Sequence, residues 1–247
     1  QGKTLQFDDV NGALDFSDYP VMKLQASAGT QGTNLTGSGT LDSSRQILSV
    51  QADDLDIQTY LPLLPDGILP EQIVPAGGSL SDVSVHFLRD GSRLSFSGET
   101  DFHDGRIQVG DMEVSSIDGH ISFTDQEALL SLTAECAGQR AGAHGRLYMD
   151  TGEPYLDLEV SSDSFDPGRI LKNIPWQGAA AFDAKLTGPC SDPTVTGTVR
   201  VGDGAFCGVP VRSASAQVRY QDGNVFVQKL HAGICGGTVE GEAAVAA

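Results

Sequence analysis

Apolar and polar residues alternate along much of this chain. Val195, Val199 and Val201 alternate with Thr196, Thr198 and Arg200, and Ala214, Ala216, Val218 and Tyr220 alternate with Ser215, Gln217 and Arg219. A period of two sends successive side chains to opposite faces of a strand, so these segments predict strands with one apolar and one polar face. Asp-Gly pairs at 90–91, 104–105, 118–119, 203–204 and 222–223 tolerate positive φ, and they predict tight antiparallel hairpins between successive strands. Two segments break the alternation, DIQTYLPLLP at 56–65 and DPGRILKNIP at 166–175. Each opens on Asp, a good helix N-cap, and closes on Pro, which predicts one or two very short helices. Leu61 and Leu64 in the first, and Ile170, Leu171 and Ile174 in the second, would cover part of the apolar face.

The strand pattern recurs. The segment 213–243 aligns with 116–147, pairing Val218 with Ile121, Tyr220 with Phe123, Leu230 with Leu132 and Gly241 with Gly145. A third copy at 10–41 sets Leu14, Phe16, Leu24 and Gly39 against Ile121, Phe123, Leu132 and Gly145. Between these copies, 48–65 matches 156–175, and 95–107 matches 194–206, with the order of the pieces kept. The chain therefore reads as one continuous repeat-built fragment over 1–247, with a period of about a hundred residues. Its units are approximately 10–116, 117–213 and a partial 214–247. The final copy, 213–243, is expected to be cut within a continuing sheet, because its two upstream relatives, 10–41 and 116–147, are each followed by further strands.

Composition agrees with strands and turns: 39% of the residues are apolar, 30 are Gly and 6% are aromatic. Fifteen Lys and Arg against 33 Asp and Glu give a formal net charge of -18, which repels a nucleic-acid backbone and argues against that partner. No run of 18 apolar residues is present, so no segment reads as a membrane-spanning helix. Cys136, Cys190, Cys207 and Cys235 have neither CxxC spacing nor a His at zinc-ligand spacing, and their pairing is left open.

Catalytic patterns are absent from the sequence: no GxSxG elbow, HExxH motif or phosphate loop occurs. TGSGT at 36–40 falls where a hairpin is expected. His86, His103, His120, His144 and His231 lie far apart in sequence and read as surface or satisfied positions. Asp53, Asp54 and Asp56 resemble a carboxylate cluster, but Asp163 and Asp166 repeat two of the three positions, which favours a helix-capping role over Ca2+ binding or acid-base work. The chain is expected not to be an enzyme and to carry no metal or cofactor.

With these residues in view, the sequence resembles the AsmA/TamB family of Gram-negative envelope proteins. The segment 191–245 carries a DPxxxGxxxxxxGxF strand pair and a YxDGxxxVxxLxA hairpin, followed by GGTVEGEA, which resembles a GGxxxGxG strand with Ala243 at the last glycine, and 48–65 is similar to a strand followed by an LDLxxLLP turn. The four cysteines and the Lys172-Asn173-Ile174-Pro175 ending depart from that pattern. The resemblance implies an all-β fold, an elongated, curved, antiparallel groove of β-taco type with a concave apolar face. It also implies a periplasmic segment of a larger protein with an N-terminal inner-membrane anchor, carrying phospholipid between the membranes and serving outer-membrane biogenesis, with an outer-membrane barrel protein of the TamA/BamA type as a partner.

Physical chemistry supports a groove independently, because a repeated sheet with one apolar face must bury it on helices, on a second sheet or on acyl chains. The expected lining is Leu14, Phe16, Leu24, Ile121, Phe123, Leu132, Val195, Val199, Val201, Val218, Tyr220 and Leu230, and the expected ligand is phospholipid acyl chains. The alternative is a tandem β-sandwich structural or adhesive protein in which each unit closes its own core.

Overall fold

A computed structural model describes residues 6–30, 32–60, 73–109, 112–149, 153–167, 175–221 and 223–246. The fold is all-β: one open antiparallel sheet of 17 strands, with a single short helix among the described residues. The chain divides into two compact units.

Unit 1 holds residues 1–110 and 116–130. Its strands β1 (Asp8–Asp15), β2 (Met22–Thr30), β3 (Thr33–Leu41), β4 (Arg45–Asp56), β5 (Ile73–Asp90) and β6 (Arg93–Val109) pair each with the next, all antiparallel. Most of β7 (Met112–Thr124) and the start of β8 (Glu127–Cys136) also belong here. The helix α1 (Ile57–Tyr60) follows β4 directly. Asp56 caps it as its position predicts: one carboxylate oxygen accepts the Gln58 N–H at 3.3 Å and the other the Thr59 hydroxyl at 2.7 Å. The rest of that expected helix, including Leu61 and Leu64, and residues 168–174 of the second lie outside the described residues.

Unit 2 holds residues 111–115 and 131–247. Strand β9 (Gln139–Tyr148) pairs with β10 (Tyr155–Phe165), β10 with β12 (Ala180–Pro189), and β12 with β13 (Thr194–Val201). Then β13 pairs with β15 (Val209–Gln221), β15 with β16 (Asn224–Ile234) and β16 with β17 (Gly237–Ala246). Two short strands, β11 (Trp176–Gln177) and β14 (Gly204–Phe206), pair with each other, and β14 continues along β15.

The Asp-Gly pairs do not all make turns. Asp90 pairs with Arg93 around Gly91 at φ 58°, and Gln221 pairs with Asn224 around Gly223 at φ 70°, so these two sites are two-residue hairpins. Asp104-Gly105 instead lies inside β6, with Asp104 at φ 49° beside a register shift, and Asp118-Gly119 lies inside β7. Asp203-Gly204 falls where β13 gives way to β14, both of which pair with β15, so the chain continues in one direction there. The reason is shared chemistry: a bulge needs the same positive φ as a hairpin turn, and Asp and Gly serve both. TGSGT likewise sits inside β3. Several turns are made instead by pairs that the Asp-Gly pattern passes over: Ala137-Gly138, Cys207-Gly208 and Cys235-Gly236, each with two positive φ values.

Both units segregate apolar from polar residues as the alternation predicts. In unit 2, Val160 faces Ala184, Ala184 faces Gly197, Gly197 faces Val218, and Val218 faces Val227, all on one side of the sheet. One position along, Glu159 faces Lys185, Lys185 faces Thr196, and Thr196 faces Arg219 on the other. Yet the apolar side builds little closed core. Among the described residues the buried hydrophobics are Ala52, Ile117, Ala128, Ala180, Val211 and Ala232.

Candidate functional site

The apolar face is built strand by strand from directly opposed side chains. In unit 1, Leu14 stands opposite Leu24, Leu48 opposite Phe87, and Phe87 opposite Phe96. The rings of Phe87 and Phe96 are 6.5 Å apart and those of Phe96 and Phe123 are 6.4 Å apart, so three aromatics form a strip across β5, β6 and β7. In unit 2, Leu186 faces Val195, Phe182 faces Val199, and Ala180 faces Val201. Phe165 meets Phe182 edge to face at 5.0 Å, a geometry that contributes about 0.5–1.5 kcal/mol beyond burial.

A pocket of about 400 Å3 is lined by Val199 and Val201 of β13, Val211, Ala214 and Ala216 of β15, Leu230, Ala232 and Ile234 of β16, and by Pro167, Trp176 and Phe206. Ser215 is the one polar residue in its lining. Trp176 and Phe206 stand directly opposite each other, and the indole N–H is satisfied by the Gly178 carbonyl at 2.9 Å. The tryptophan thus presents its ring to the pocket without an unmet donor.

Among the residues expected to line a groove, Val199, Val201 and Leu230 meet in this pocket. Val195 and Val218 lie on the same face, each opposed to Tyr220 or Val227 respectively. Ile121 and Phe123 are on β7, Leu132 is on β8, and Leu24 is flanked by Leu14 and Gly39. Leu14 is 52% exposed. Phe16 lies one residue beyond β1, 54% exposed, with its carbonyl accepting the Tyr19 N–H at 3.1 Å. Sequence reasoning passed over Trp176, Phe206, Phe87 and Phe96. The last two were within reach, since Val85, Phe87, Leu94 and Phe96 keep the period of two on both sides of the Asp90-Gly91 turn.

The opposite face is a ladder of polar pairs. His144 Nε2 lies 3.1 Å from Glu159, His231 Nδ1 lies 3.2 Å from Glu240, and Lys185 Nζ lies 2.8 Å from Asp157, while Arg200 pairs with Asp183. In unit 1, His120 Nδ1 lies 2.8 Å from Asp101, and His86 Nδ1 lies 2.8 Å from the Ser49 hydroxyl. Each of these pairs is exposed, and such contacts contribute roughly 0–1 kcal/mol. Ser81 Oγ is 2.9 Å from His103 Nε2, whose Nδ1 is 3.9 Å from Asp118. The second gap is too long for the hydrogen bond that would orient a catalytic imidazole. No group of three His, Cys, Asp or Glu among the described residues could hold a metal ion.

All four cysteines are free thiols. Cys207 and Cys235 are exposed at the first positions of their turns. Burial pushes the Cys136 and Cys190 thiols up, with Glu153 adding to the effect at Cys190. No helix among the described residues is long and apolar enough to cross a membrane. No protein-family model, curated protein or solved structure matches the chain.

Proposed function

We propose that the apolar face is a bed for phospholipid acyl chains, and that the chain is a segment of a lipid conduit similar to the AsmA/TamB proteins. The observation that carries this reading is the segregation of apolar side chains onto one face, few of which are fully buried among the described residues. A closed sandwich of this length would bury tens of large side chains, whereas the largest buried hydrophobics described are Ile117 and Val211. An open apolar face costs free energy in water and gains it against hydrocarbon.

Acyl chains suit such a surface because their contact is continuous and undirected. Each buried methylene contributes about 0.8 kcal/mol, so about ten would give roughly 8 kcal/mol before the cost of immobilising the lipid. Head groups stay in water at the strand ends while the polar face keeps the sheet soluble. Curvature of the sheet into a groove, repetition of the unit along it, residence in the periplasm of a Gram-negative bacterium, an inner-membrane anchor and a barrel partner in the outer membrane belong to the same proposal. They rest on the sequence resemblance. The reading assigns no catalytic residue and no cofactor.

Native mass spectrometry of the purified chain, with lipid extraction and uptake of a fluorescent phospholipid, tests it. Bound phospholipid is the expected result. A chain that arrives without phospholipid or detergent and takes up no fluorescent lipid contradicts the proposal.

A further inference from the structure

Over the paired stretches 22–28, 35–41, 46–52, 83–89 and 94–98 the apolar face of unit 1 carries one ionisable side chain. Following the register from Met22 through Leu41, Leu48 and Val85 to Gly98, each position on that face is apolar, Gly or Gln, except Arg89. Arg89 lies two residues from Phe87 on the same face, opposite Gln46 on one side and Leu94 on the other. It is exposed at the rim, next to the Gly91 turn. Its Nε–H donates to the Gly91 carbonyl at 3.2 Å, which fixes the plane of the guanidinium. No described residue engages its two Nη groups, so the fork that suits a phosphate is left open. Arg45 and Arg93 flank Asp90 on the opposite face of the same rim and add positive potential there.

We propose that Arg89, with Gln46 beside it, binds the phosphodiester of an anionic phospholipid whose acyl chains lie over Phe87, Phe96 and Phe123. This rests on the acyl-chain reading above and adds head-group selection to it. Local charge complementarity supports it: a guanidinium on an apolar face, with Arg45 and Arg93 at the same rim, matches an amphiphile with an anionic head and a hydrocarbon body. A merely solvated arginine would have the polar face available one residue away. The opposed amide of Gln46 offers a neutral donor to the same oxygens.

The test measures binding to the full chain of dioleoyl phosphatidylglycerol and of dioleoylglycerol, which shares the tails and lacks the phosphate. Free glycerol phosphate is the competitor. Tighter binding of the phospholipid, lost by about tenfold in Arg89→Gln and retained in part by Arg89→Lys, is the expected result, with diacylglycerol binding unchanged by either substitution. Circular dichroism checks that the variants fold. Equal binding of the two lipids, or phospholipid binding indifferent to Arg89→Gln, overturns the head-group proposal and leaves the acyl-chain reading standing. Displacement of phospholipid by glycerol phosphate at comparable concentration overturns it in favour of a free-anion site. Failure of both lipids to bind sinks the acyl-chain reading and this proposal with it.

Discussion

The ring of Phe123 covers the bare backbone of Gly98. A Cβ built on Gly98 would lie 2.6 Å from the Phe123 ring and would also collide with the Ser84 carbonyl. Glycine here lets the outer edge of an aromatic ring from β7 approach β6 closely, beside Phe96. The aromatic strip of unit 1 depends on that absence.

Gly98→Ala is therefore expected to push Phe123 off the sheet and to destabilise the chain by about 1–3 kcal/mol, the usual cost of overpacking. A chemical denaturation midpoint measured against wild type reads the effect. An unchanged midpoint would mean that Phe123 packs elsewhere.

Much of the fold was legible because alternation is a local signal. Val199 beside Thr198 and Arg200 sets its own face, whatever its neighbours do, and the opposition of Val199 to Phe182 and Ala216 follows. The Asp-Gly pairs were less legible. Asp90-Gly91 turns the chain while Asp104-Gly105 bulges inside β6. Their local chemistry is the same, and only the register of the adjoining strand decides between them. The pocket at Trp176 was illegible for a related reason: β11 is two residues long and acquires a place on the face only through its pairing with β14.

Asp42 holds the β3–β4 turn. Its carboxylate accepts the Ser44 and Arg45 N–H groups at 2.6 Å each and the Ser44 hydroxyl at 2.9 Å. The Arg45 and Ser44 amides, followed by the Ser44 hydroxyl, hold its carboxyl below the ordinary value. A lowered folded value means that the contribution is complete above about pH 3.9, the ordinary aspartate midpoint, and is lost as pH falls through the folded value. The amide shifts of Ser44 and Arg45, followed by NMR, should titrate below about pH 3.9. Titration at or above it would show that the turn does not hold the carboxylate.

The thiols should separate by rate. Cys207 and Cys235 are exposed at turns, whereas Cys136 and Cys190 are half-buried with raised titration midpoints. Because the thiolate is the reacting form, alkylation near pH 8 followed by peptide mapping should modify Cys207 and Cys235 first. Equal rates at all four positions would show that the strand ends at Cys136 and Cys190 open readily.

On the polar face, His231→Gln is expected to shift stability by less than about 1 kcal/mol, since the pair with Glu240 is exposed on both sides. A larger loss in thermal unfolding would indicate that the polar ladder contributes more than isolated surface pairs do.

In the proposed arrangement lipid lies on one face of each strand, and the period of two makes that directly testable. A photo-crosslinking side chain placed at Val199, and separately at Val218, faces the apolar side; placed at Thr198 or Gln217 it faces the polar side. Irradiation in the presence of phospholipid vesicles should capture lipid at 199 and 218 and not at 198 or 217. Capture at both members of each neighbouring pair, or at neither, would contradict an acyl-chain bed on the apolar face.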